Sequence, residues 1–375
     1  MDIAWFTDTW VPNRDGVVTS LLSFKKVMEQ EGHHIYIFAP GLRKKEEYGV
    51  FYYRAFSFPP YPQYRFPTPL SIFSRRSISL VRKIGVDIIH SHSPGTMGLH
   101  ARIASSKTKI PMVFTFHTFI DDSVYLLFKN EKLQNASRNF IYKWLRWYTK
   151  KCRCVIVPSY YVKKRLEKII GKREFEVIPT GIDIEKFSRG NGTAMRKKYG
   201  NKKIILHVGR VVKEKNIELL IKAAPHILKK MDAIFIIVGE GPHRKNLEEM
   251  VRKMNLAPHF IFTGFVEENE LLDYYRTADV FAFPSTYETQ GLVALEAMAA
   301  GVPVVGARAK AIPDFIKDGE NGYLTNPYDA LEFAHKIMEA MGDKGVIKRA
   351  KKFVEEYAIE KMAERLKEVY EKYGN

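Results

Sequence analysis

The segment from Ser285 to Gly301 reads Ser-Thr-Tyr-Glu-Thr-Gln-Gly-Leu-Val-Ala-Leu-Glu-Ala-Met-Ala-Ala-Gly and is the most informative part of the chain. An apolar stretch from Asp279 to Pro284 precedes it, and Val302-Pro303 follows its closing glycine. A glycine and then a proline are typical of a helix end. The pattern predicts a buried strand, a loop and a helix of small residues, which together form the repeating unit of a parallel α/β sheet.

Two acidic residues in this segment, Glu288 and Glu296, are candidates for a ligand site. We expect Glu288 on the loop at the carboxyl end of the strand. If the helix starts near Gly291, helical spacing gives one face, pressed against the sheet, to Leu292, Leu295, Glu296 and Ala299. A carboxylate there is costly unless a polar group pairs with it, so we expect a ligand rich in hydroxyl groups. The alternative is a structural loop acid and a helix acid paired with a neighbouring base.

Short apolar segments alternate with helical ones along the whole chain, which predicts parallel sheets covered on both faces. In the first half, strands are expected at Ile3 to Thr7, His34 to Ala39, Asp87 to Ser91, Met112 to Phe116 and Val155 to Val157. In the second half, they are expected at Ile204 to Val208, Ile234 to Val238, Phe260 to Phe262, Val280 to Phe283 and Pro303 to Val305. Proline and glycine between Val177 and Asp183 mark the join.

The predicted fold class is therefore α/β, with two doubly wound Rossmann-like domains facing a cleft. A chain of 375 residues is long enough for two such cores. The domains are expected at residues 1–178 and 179–350, with a helix at 351–375 that crosses back to the N-terminal domain. Ligands of such sheets bind outside the carboxyl ends of the strands, so the site is predicted there.

The net charge of +18 is concentrated in the first half of the chain. Residues 1–178 contain 29 Lys and Arg against 14 Asp and Glu, whereas the remainder contains 31 against 28. This asymmetry predicts that the first half meets an anionic partner, such as a membrane surface, a phospholipid or a nucleic acid. The alternative is a solvated basic surface with no such partner.

The cysteine content and the hydropathy pattern bear on the compartment. No run of about 18 apolar residues occurs, so no membrane span is expected. The start of the chain shows no signal-peptide pattern. Cys152 and Cys154, the two cysteines, are spaced poorly for a disulfide. A reducing cytoplasm is the simplest expectation.

In the first half, a glycine and a histidine stand where ligands of such sheets bind. Gly16, in Asp15-Gly16-Val17-Val18, precedes a predicted helix, where it would let a phosphate approach free backbone N–H groups; the alternative is a plain turn. His117 directly follows a strand and is placed for chemistry or for hydrogen bonding to a substrate. His90 and His92, at the end of the preceding strand, are alternatives to it.

In the second half, Arg210 and Lys215 follow the strand Ile204 to Val208 on one loop. Arginine grips phosphate oxygens with two parallel bonds and lysine adds a compact charge, so the loop is predicted to bind a diphosphate. The alternative is a solvated basic turn. Unpaired N–H groups and the positive end of a helix dipole are expected nearby at Thr289, Gln290 and Gly291.

Several motifs are missing from the chain. It has no Walker A motif and no Gly-x-Gly-x-x-Gly after its first strand, which argues against P-loop phosphoryl transfer and against a dinucleotide oxidoreductase. It has no Asp-x-Asp, so we expect no dedicated metal for a nucleotide diphosphate and no cofactor. The negative charge of the diphosphate would then be balanced by Arg210, Lys215 and the helix N-terminus.

Taken together, these motifs resemble those of the GT-B glycosyltransferases of retaining family 4 over nearly the whole chain. The resemblance rests on Glu288-x7-Glu296 with the following Ala-Met-Ala-Ala-Gly-Val-Pro-Val-Val, and on His207 to Arg210, Lys215-Asn216, Val238 to Pro242, Gly264 to Val266 and Pro179 to Asp183. The family usually has Phe-Gly after its first glutamate, where this chain has Gln290-Gly291. This variant, with Thr7 to Pro12 and Thr115 to Thr118, is similar to the branch that glycosylates diacylglycerol, in which Trp10 is usually tyrosine.

The resemblance implies roles for the candidate residues. Arg210 and Lys215 would bind the donor diphosphate, Glu288 the sugar hydroxyls and Glu296 the ribose. Gly16 would lie over the phosphates, although Asp15 stands where many members have a first glycine, and His117 would contact the sugar near its reacting carbon. The donor-binding set also includes the loop and helix residues Thr289, Gln290, Gly291 and Leu292. The implied reaction is metal-free retaining transfer from a nucleotide sugar, and its usual account is front-face displacement without a covalent nucleophile.

Two stretches of the first half are candidates for the acceptor side. Gly49 to Phe73 is dense in aromatic residues, proline and arginine and is expected to form a rigid loop, flanked by Arg43, Lys44, Lys45, Arg75 and Arg76, that suits a lipid headgroup layer. Arg138 to Arg153 has aromatic residues among basic ones and could lie on a membrane or simply pack on the sheet.

Three functions follow from these observations. The leading one is a cytoplasmic enzyme at the inner face of the membrane that transfers glucose from UDP-glucose to diacylglycerol. The second is a soluble family 4 enzyme that makes a disaccharide or polysaccharide. The third, a nucleic-acid-binding protein, is suggested by charge alone and lacks a known binding module; no nucleic-acid partner is expected.

Overall fold

The computed structural model describes residues 1–13, 15–41, 48–58, 61–68, 75–119 and 130–374. Arg43, Lys44 and Lys45 of the predicted headgroup-contacting stretch lie outside these residues. The chain divides into two compact units, Met1–Gly181 with Ile359–Asn375, and Ile182–Ala358.

In the part of the first unit that the structure describes, the sheet has eight strands: β1 Asp2–Phe6, β2 His34–Gly41, β3 Val50–Phe58, β4 Tyr61–Pro67, β5 Ile88–Ser91, β6 Met112–Thr115, β7 Val155–Val157 and β8 Phe175–Val177. Their order is β4-β3-β2-β1-β5-β6-β7-β8, and only β4 runs antiparallel to its neighbour. The five strands predicted for this half are confirmed.

The stretch from Gly49 to Phe73 differs from its prediction as a rigid loop. Within the described residues it forms β3 and β4, an antiparallel pair at the edge of the sheet. Aromatic side chains favour strands, and an edge strand tolerates the prolines of Tyr61–Pro67. The aromatic residues of this stretch indicated strands, but its prolines led to the prediction of a loop.

Among the described residues, six helices cover this sheet: α1 Gly16–Gln30, α2 Arg76–Ile84, α3 Thr96–Thr108, α4 Glu131–Thr149, α5 Tyr160–Ile170 and α15 Ile359–Tyr373. Side chains of β1 alternate between two cores, as strand geometry requires. Ile3 and Trp5 pack with α1 and α15, whereas Ala4 and Phe6 pack with the core that includes α2 to α5. Both faces of the sheet are therefore buried, as predicted.

The second unit has six parallel strands: β9 Lys203–Val208, β10 Ala233–Val238, β11 Phe260–Gly264, β12 Val280–Phe283, β13 Val304–Ala307 and β14 Tyr323–Thr325. In residues 182–358, all of which the structure describes, nine helices lie before, between and after these strands: α6 Ile184–Ser188, α7 Thr193–Tyr199, α8 Ile217–Leu228, α9 Arg244–Lys253, α10 Glu268–Thr277, α11 Leu292–Ala299, α12 Ile312–Phe315, α13 Ala330–Gly342 and α14 Lys344–Val354. The five strands predicted for this half are confirmed, and the three-residue strand β14 was missed.

Strand order fixes where each unit can bind a ligand. In the second unit the order is β11-β10-β9-β12-β13-β14, so the direction of winding reverses between β9 and β12. In the first unit it reverses between β1 and β5. The loops on the two sides of such a reversal diverge, and they leave a crevice outside the carboxyl ends of the strands. The candidate residues lie on or directly after the loops that follow β1, β5 and β6 in the first unit and β9 and β12 in the second.

The described residues bear on two predictions, that no segment spans a membrane and that the two cysteines do not form a disulfide. No helix among them is long and apolar enough to cross a membrane. Cys152 and Cys154 are both free thiols.

Candidate active site

An ion pair joins the two loops at the reversal point of the second unit. Lys215 Nζ lies 2.5 Å from Glu288 Oε1, and the two side chains are 20% and 12% exposed. Lys215 ends the short turn after β9, and Glu288 lies on the loop after β12. The structure thus brings together two residues that the sequence places 73 positions apart.

Backbone contacts on both sides of Lys215 fix this arrangement. The carbonyl oxygen of Glu214 accepts hydrogen bonds from Ser285 Oγ, Thr286 N and Thr286 Oγ1 at 2.9 to 3.3 Å. The Asn216 amide donates to the carbonyls of Pro284 and Pro327 at 3.1 and 2.9 Å. Both neighbours of Lys215 are therefore tied to the loop after β12, and the lysine side chain is directed by its backbone as well as by its partner.

Two glycines of the stretch Gly239 to Pro242 pack closely against the loop that carries Lys215. An ideal Cβ at Gly239 would lie 1.9 Å from the carbonyl oxygen of Gly209, and one at Gly241 would lie 2.3 Å from that of Val211. Val211 N also donates to Glu240 O at 3.0 Å. The physical role of this stretch is close backbone packing against the loop that carries Lys215.

The helix of the segment from Ser285 to Gly301, α11, begins at Leu292 with Gly291 as its N-cap. Its predicted start near Gly291 is confirmed, and the glycine has φ 89°, the left-handed region that other residues adopt with strain. Thr289 and Gln290 precede the cap, so the helix-terminal N–H groups come from Gly291 onward. Gln290 is buried at 6% exposure.

Glu296 has the polar partner that its position requires. The Tyr275 hydroxyl on α10 donates to Glu296 Oε2 at 2.7 Å. Burial raises the pKa of Glu296, and the Tyr275 hydrogen bond lowers it in part. Leu295 and Ala299 are buried as predicted, but Leu292 and Glu296 are only partly buried and lie at the margin of that face. A structural acid on this helix was expected to pair with a basic residue, but the partner of Glu296 is the phenol of Tyr275.

Arg210 is exposed on the same loop as Lys215. Within the described part of the chain, its guanidinium has no recorded ion-pair partner. The geometry is compatible with both readings of the sequence, a phosphate ligand and a solvated basic turn.

In the first unit, all three histidines that the sequence offered as alternatives form one cluster. The rings of His90 and His92 have centroids 3.9 Å apart, and those of His92 and His117 stack at 5.6 Å. Burial lowers the pKa of His117 to about 4 and the pKa values of His90 and His92 well below the ordinary 6.5. Among the described residues, no group of three His, Cys, Asp or Glu side chains has the geometry of a metal site.

Gly16 lies in the first turn of α1, after the N-cap Asp15, whose side chain accepts from Val17 N and Val18 N. The predicted helix start and the alternative, a plain turn, are therefore the same structural feature. Gly16 is exposed, and an ideal Cβ there would meet no atom within 4 Å. Its surroundings are open to a ligand, although no crowding within the described residues demands glycine.

Comparison with known proteins identifies the family. The family model described as Glycosyltransferase Family 4 matches residues 14–186, and the model described as Glycosyl transferases group 1 matches residues 193–367. An alpha-monoglucosyldiacylglycerol synthase from Acholeplasma laidlawii is 30% identical over 346 residues, which cover 88% of this chain and 86% of that protein. The chain belongs to glycosyltransferase family 4.

Other relatives of this family 4 glycosyltransferase are named for different activities. A GDP-mannose-dependent alpha-mannosyltransferase from Corynebacterium glutamicum is 30% identical over 340 residues, covering 88% of this chain and 78% of that protein. The structure of Anabaena Alr3699/HepE in complex with UDP matches with a TM-score of 0.80 over 99% of this chain and 100% of that one, at 18% identity, so it bears on the fold alone. The predicted GT-B fold and the resemblance to diacylglycerol glucosyltransferases are confirmed.

We expect Gly239→Ala to destabilise the second unit because it adds a clash to backbone strain. Gly239 and Gly319 both have positive φ, 132° and 74°, but a Cβ at Gly319 would meet nothing within 4 Å. Gly319→Ala should therefore cost about 1–2 kcal/mol for strain alone, and Gly239→Ala about 1–3 kcal/mol more. Urea unfolding of both variants measures the difference, and equal losses would contradict the packing role of Gly239.

Stability should also fall as the pH drops from about 6.5 towards 4. Burial lowers the pKa of His100, His117 and His207 to about 4, so in this window the unfolded chain binds protons that the folded chain does not. Each such histidine contributes a slope of about 1.4 kcal/mol per pH unit. Asp8 and Glu296, whose pKa values burial raises, act in the opposite direction but are fewer.

The slope is measured by urea unfolding between pH 4.5 and 7. His207→Gln should reduce it by about one proton, because His207 is fully buried. His335→Gln, at an exposed position of α13, is the matched control with which the His207→Gln slope is compared. A slope that did not change in His207→Gln would show that the buried histidines do not govern acid stability.

Proposed function

We propose that this glycosyltransferase transfers glucose from UDP-glucose to diacylglycerol at a membrane surface, with retention of configuration and without a metal. The observation that carries the proposal is the relative from Acholeplasma laidlawii, which is named for this product class and aligns with 88% of the chain. The Glu-Thr-Gln-Gly-Leu variant at residues 288–292 supports the same branch.

The second unit binds the donor in this proposal. Lys215 uses one of its three ammonium donors on Glu288, which leaves two for phosphate oxygens. Arg210 adds a planar guanidinium on the same loop, and the N–H groups at the start of α11 add the positive end of a helix dipole. With this much fixed positive charge, the leaving diphosphate needs no metal ion.

Glu288 and Glu296 contact the two sugars of the donor. Glu288 Oε1 is occupied by Lys215, so Oε2 remains to accept from hydroxyls of the transferred hexose. Glu296 Oε2 is occupied by Tyr275, so Oε1 remains for the ribose diol. Each carboxylate is thus oriented by one intramolecular bond and keeps one oxygen for the ligand.

In this proposal the first unit contributes Gly16, to which the family resemblance assigns the donor phosphates, and His117, to which it assigns the reacting sugar. In the transfer step, the acceptor hydroxyl oxygen bonds to the anomeric carbon on the face from which the diphosphate leaves. The bond from carbon to phosphate oxygen breaks, and the acceptor proton passes to the departing phosphate. The protein stabilises the charge that develops on that phosphate.

Helix α4 provides the membrane contact in this proposal. Leu133, Phe140 and Trp147 recur every seven residues and are 52%, 67% and 43% exposed, which defines an apolar stripe. The rings of Phe140 and Trp144 lie 6.5 Å apart, and those of Trp144 and Trp147 lie 5.0 Å apart. The opposite side packs on the sheet through buried residues such as Leu145, so sheet packing accounts for only part of the helix.

Basic residues accompany the stripe. Exposed positions of α4 include Lys132, Lys143 and Arg146, and the first half of the chain has an excess of 15 positive charges. Aromatic side chains beside lysine and arginine suit the headgroup layer of an anionic membrane. The combination supports peripheral binding by the first unit.

A soluble family 4 enzyme is the second candidate. The mannosyltransferase from Corynebacterium glutamicum is also 30% identical over 88% of the chain, and it is named as GDP-mannose-dependent. The pair Lys215 and Glu288 would serve either nucleotide, since it addresses phosphate and sugar rather than the base. The donor and the acceptor therefore need direct measurement.

The first test is a donor and acceptor panel with mass detection of products. UDP-glucose, UDP-galactose and GDP-mannose are each offered with diacylglycerol in anionic vesicles and with soluble sugars. We expect α-glucosyldiacylglycerol from UDP-glucose, unchanged when a chelator is present. Transfer to soluble sugars alone would overturn the lipid acceptor, and loss of activity restored by Mn²⁺ or Mg²⁺ would overturn the metal-free mechanism.

We expect Lys215→Ala and Glu288→Ala each to lower kcat by at least about two orders of magnitude, the scale of losing one preorganised charge contact. Lys213→Ala is the matched control, because Lys213 is an exposed lysine on the same short turn. It should retain most of the activity. Near-normal turnover in either pair variant would remove that residue from the site.

Replacing the apolar stripe should weaken membrane binding. We expect the double variant Phe140→Ser, Trp147→Ser to bind anionic vesicles at least about tenfold more weakly, since burying each such side chain contributes about 1.5–3 kcal/mol. Tyr160→Ser is the control, an aromatic 62% exposed on α5. Vesicle sedimentation measures both, and equal binding by all three proteins would exclude α4 as the contact.

A further inference from the structure

The histidine cluster contains one residue, His92, whose role the proposed function leaves open. His92 follows β5 and is 6% exposed, and its Nδ1 lies 3.4 Å from Nε2 of His117. Its other ring nitrogen, Nε2, is buried without a hydrogen-bond partner in the described structure. An unpaired polar atom in a packed interior calls for a physical reason.

The proton positions on neighbouring His90 follow from its partners. Trp5 Nε1 is a donor only, and it donates to the Tyr370 hydroxyl oxygen at 2.9 Å. The Tyr370 proton must then go to His90 Nδ1, 2.5 Å away, because the Trp5 nitrogen cannot accept it. His90 Nε2 therefore carries the proton and donates to Thr115 Oγ1 at 2.7 Å. His90 is fully satisfied and has no hydrogen-bonding group left for His92.

The same accounting assigns the proton of His92. If Nε2 carried it, the structure would contain a buried N–H without an acceptor, which proteins rarely tolerate. A lone pair without a donor is the less costly defect. The proton therefore lies on Nδ1, and His92 donates to His117 Nε2. Since His117 Nε2 accepts, the proton of neutral His117 must lie on its other nitrogen, Nδ1.

We propose that His92 is a positioning residue that fixes His117 as its Nδ1–H tautomer, so that His117 meets the transferred sugar as a neutral hydrogen-bond donor. The inference rests on the proposed contact between His117 and that sugar. The expected partner is an oxygen of the hexose, since the remaining ring nitrogen offers an N–H. His117 is then a sugar-orienting group and not the base that removes the acceptor proton.

A neutral donor suits the chemistry of this step. Glycosyl transfer builds positive charge on the sugar ring, in an oxocarbenium-like transition state. A protonated histidine beside the reacting carbon would oppose that charge, whereas a neutral N–H orients the sugar without doing so. The close packing of three histidine rings supports the neutral state, because burial disfavours a proton on any of them.

The direct test is the tautomer itself, which does not depend on activity. Full-length protein labelled with ¹⁵N in histidine is examined at pH 7 by long-range ¹H–¹⁵N correlation, which distinguishes protonated from unprotonated ring nitrogens. We expect Nδ1–H for His117 and His92, and Nε2–H for His90. An Nε2–H signal for His117 would overturn the proposal, whatever the enzyme transfers.

The kinetic test uses substitutions that keep or reverse the polarity at His92 Nδ1. His92→Asn retains an N–H donor near that position and should keep kcat within about threefold of wild type. His92→Asp offers an acceptor, and His92→Phe offers neither; both should lower kcat at least about tenfold with little change in KM for the nucleotide sugar. Loss of activity in His92→Asn equal to that in His92→Phe would contradict the proposal.

A double-mutant cycle separates positioning from a general structural effect. In a His117→Ala background, His92→Asp should cause no further loss, because its effect passes through His117. Additive losses would overturn the coupling. If the wild-type protein glycosylates no lipid, the acceptor in the proposed function fails, whereas the tautomer measurement and the cycle on any active acceptor still decide the role of His92.

Discussion

The ion pair between Lys215 and Glu288 is the constraint on which the second unit's candidate site depends. Removing two opposite charges from water carries a desolvation penalty that their attraction repays only when the geometry is good. Here the geometry is set before the side chains meet, since Glu214 and Asn216 tie the lysine turn to the loop after β12. The charge pair is thus placed by uncharged backbone contacts.

The same unit explains why so many glycines surround a pair of charged residues. The lysine turn can lie where it does only because Gly239 and Gly241 let one backbone approach another to within contact distance. At the start of α11, Gly291 takes a left-handed conformation against the ring of Phe283. Glycines on two of the loops therefore allow three loops to converge on the reversal point of the sheet, where the strands leave room for a ligand.

The sequence was sufficient for the fold class because buried parallel strands are short apolar runs, and ten such runs were recognisable. It was insufficient for β3 and β4, where proline masked an edge pair, and for β8 and β14, whose sequences Phe-Glu-Val and Tyr-Leu-Thr lack the aliphatic run of β7. In the site, each candidate could be named from its place after a strand. The pairing of Lys215 with Glu288 could not be predicted from the sequence, because it depends on which strands are neighbours. Tyr275 gave no signal at all.

Strand adjacency also changes the meaning of the histidines. As single sequence positions, His90, His92 and His117 compete for one role, but β5 and β6 are neighbours and bring all three together. Burial keeps them neutral, so the first unit, which belongs to the strongly basic half of the chain, has uncharged polar groups at these strand ends. Its exposed basic residues lie elsewhere, for example on α4 at Lys143 and Arg146. The positive charge of this half is therefore a property of its surface, suited to an anionic partner, whereas the histidine cluster is suited to a neutral sugar.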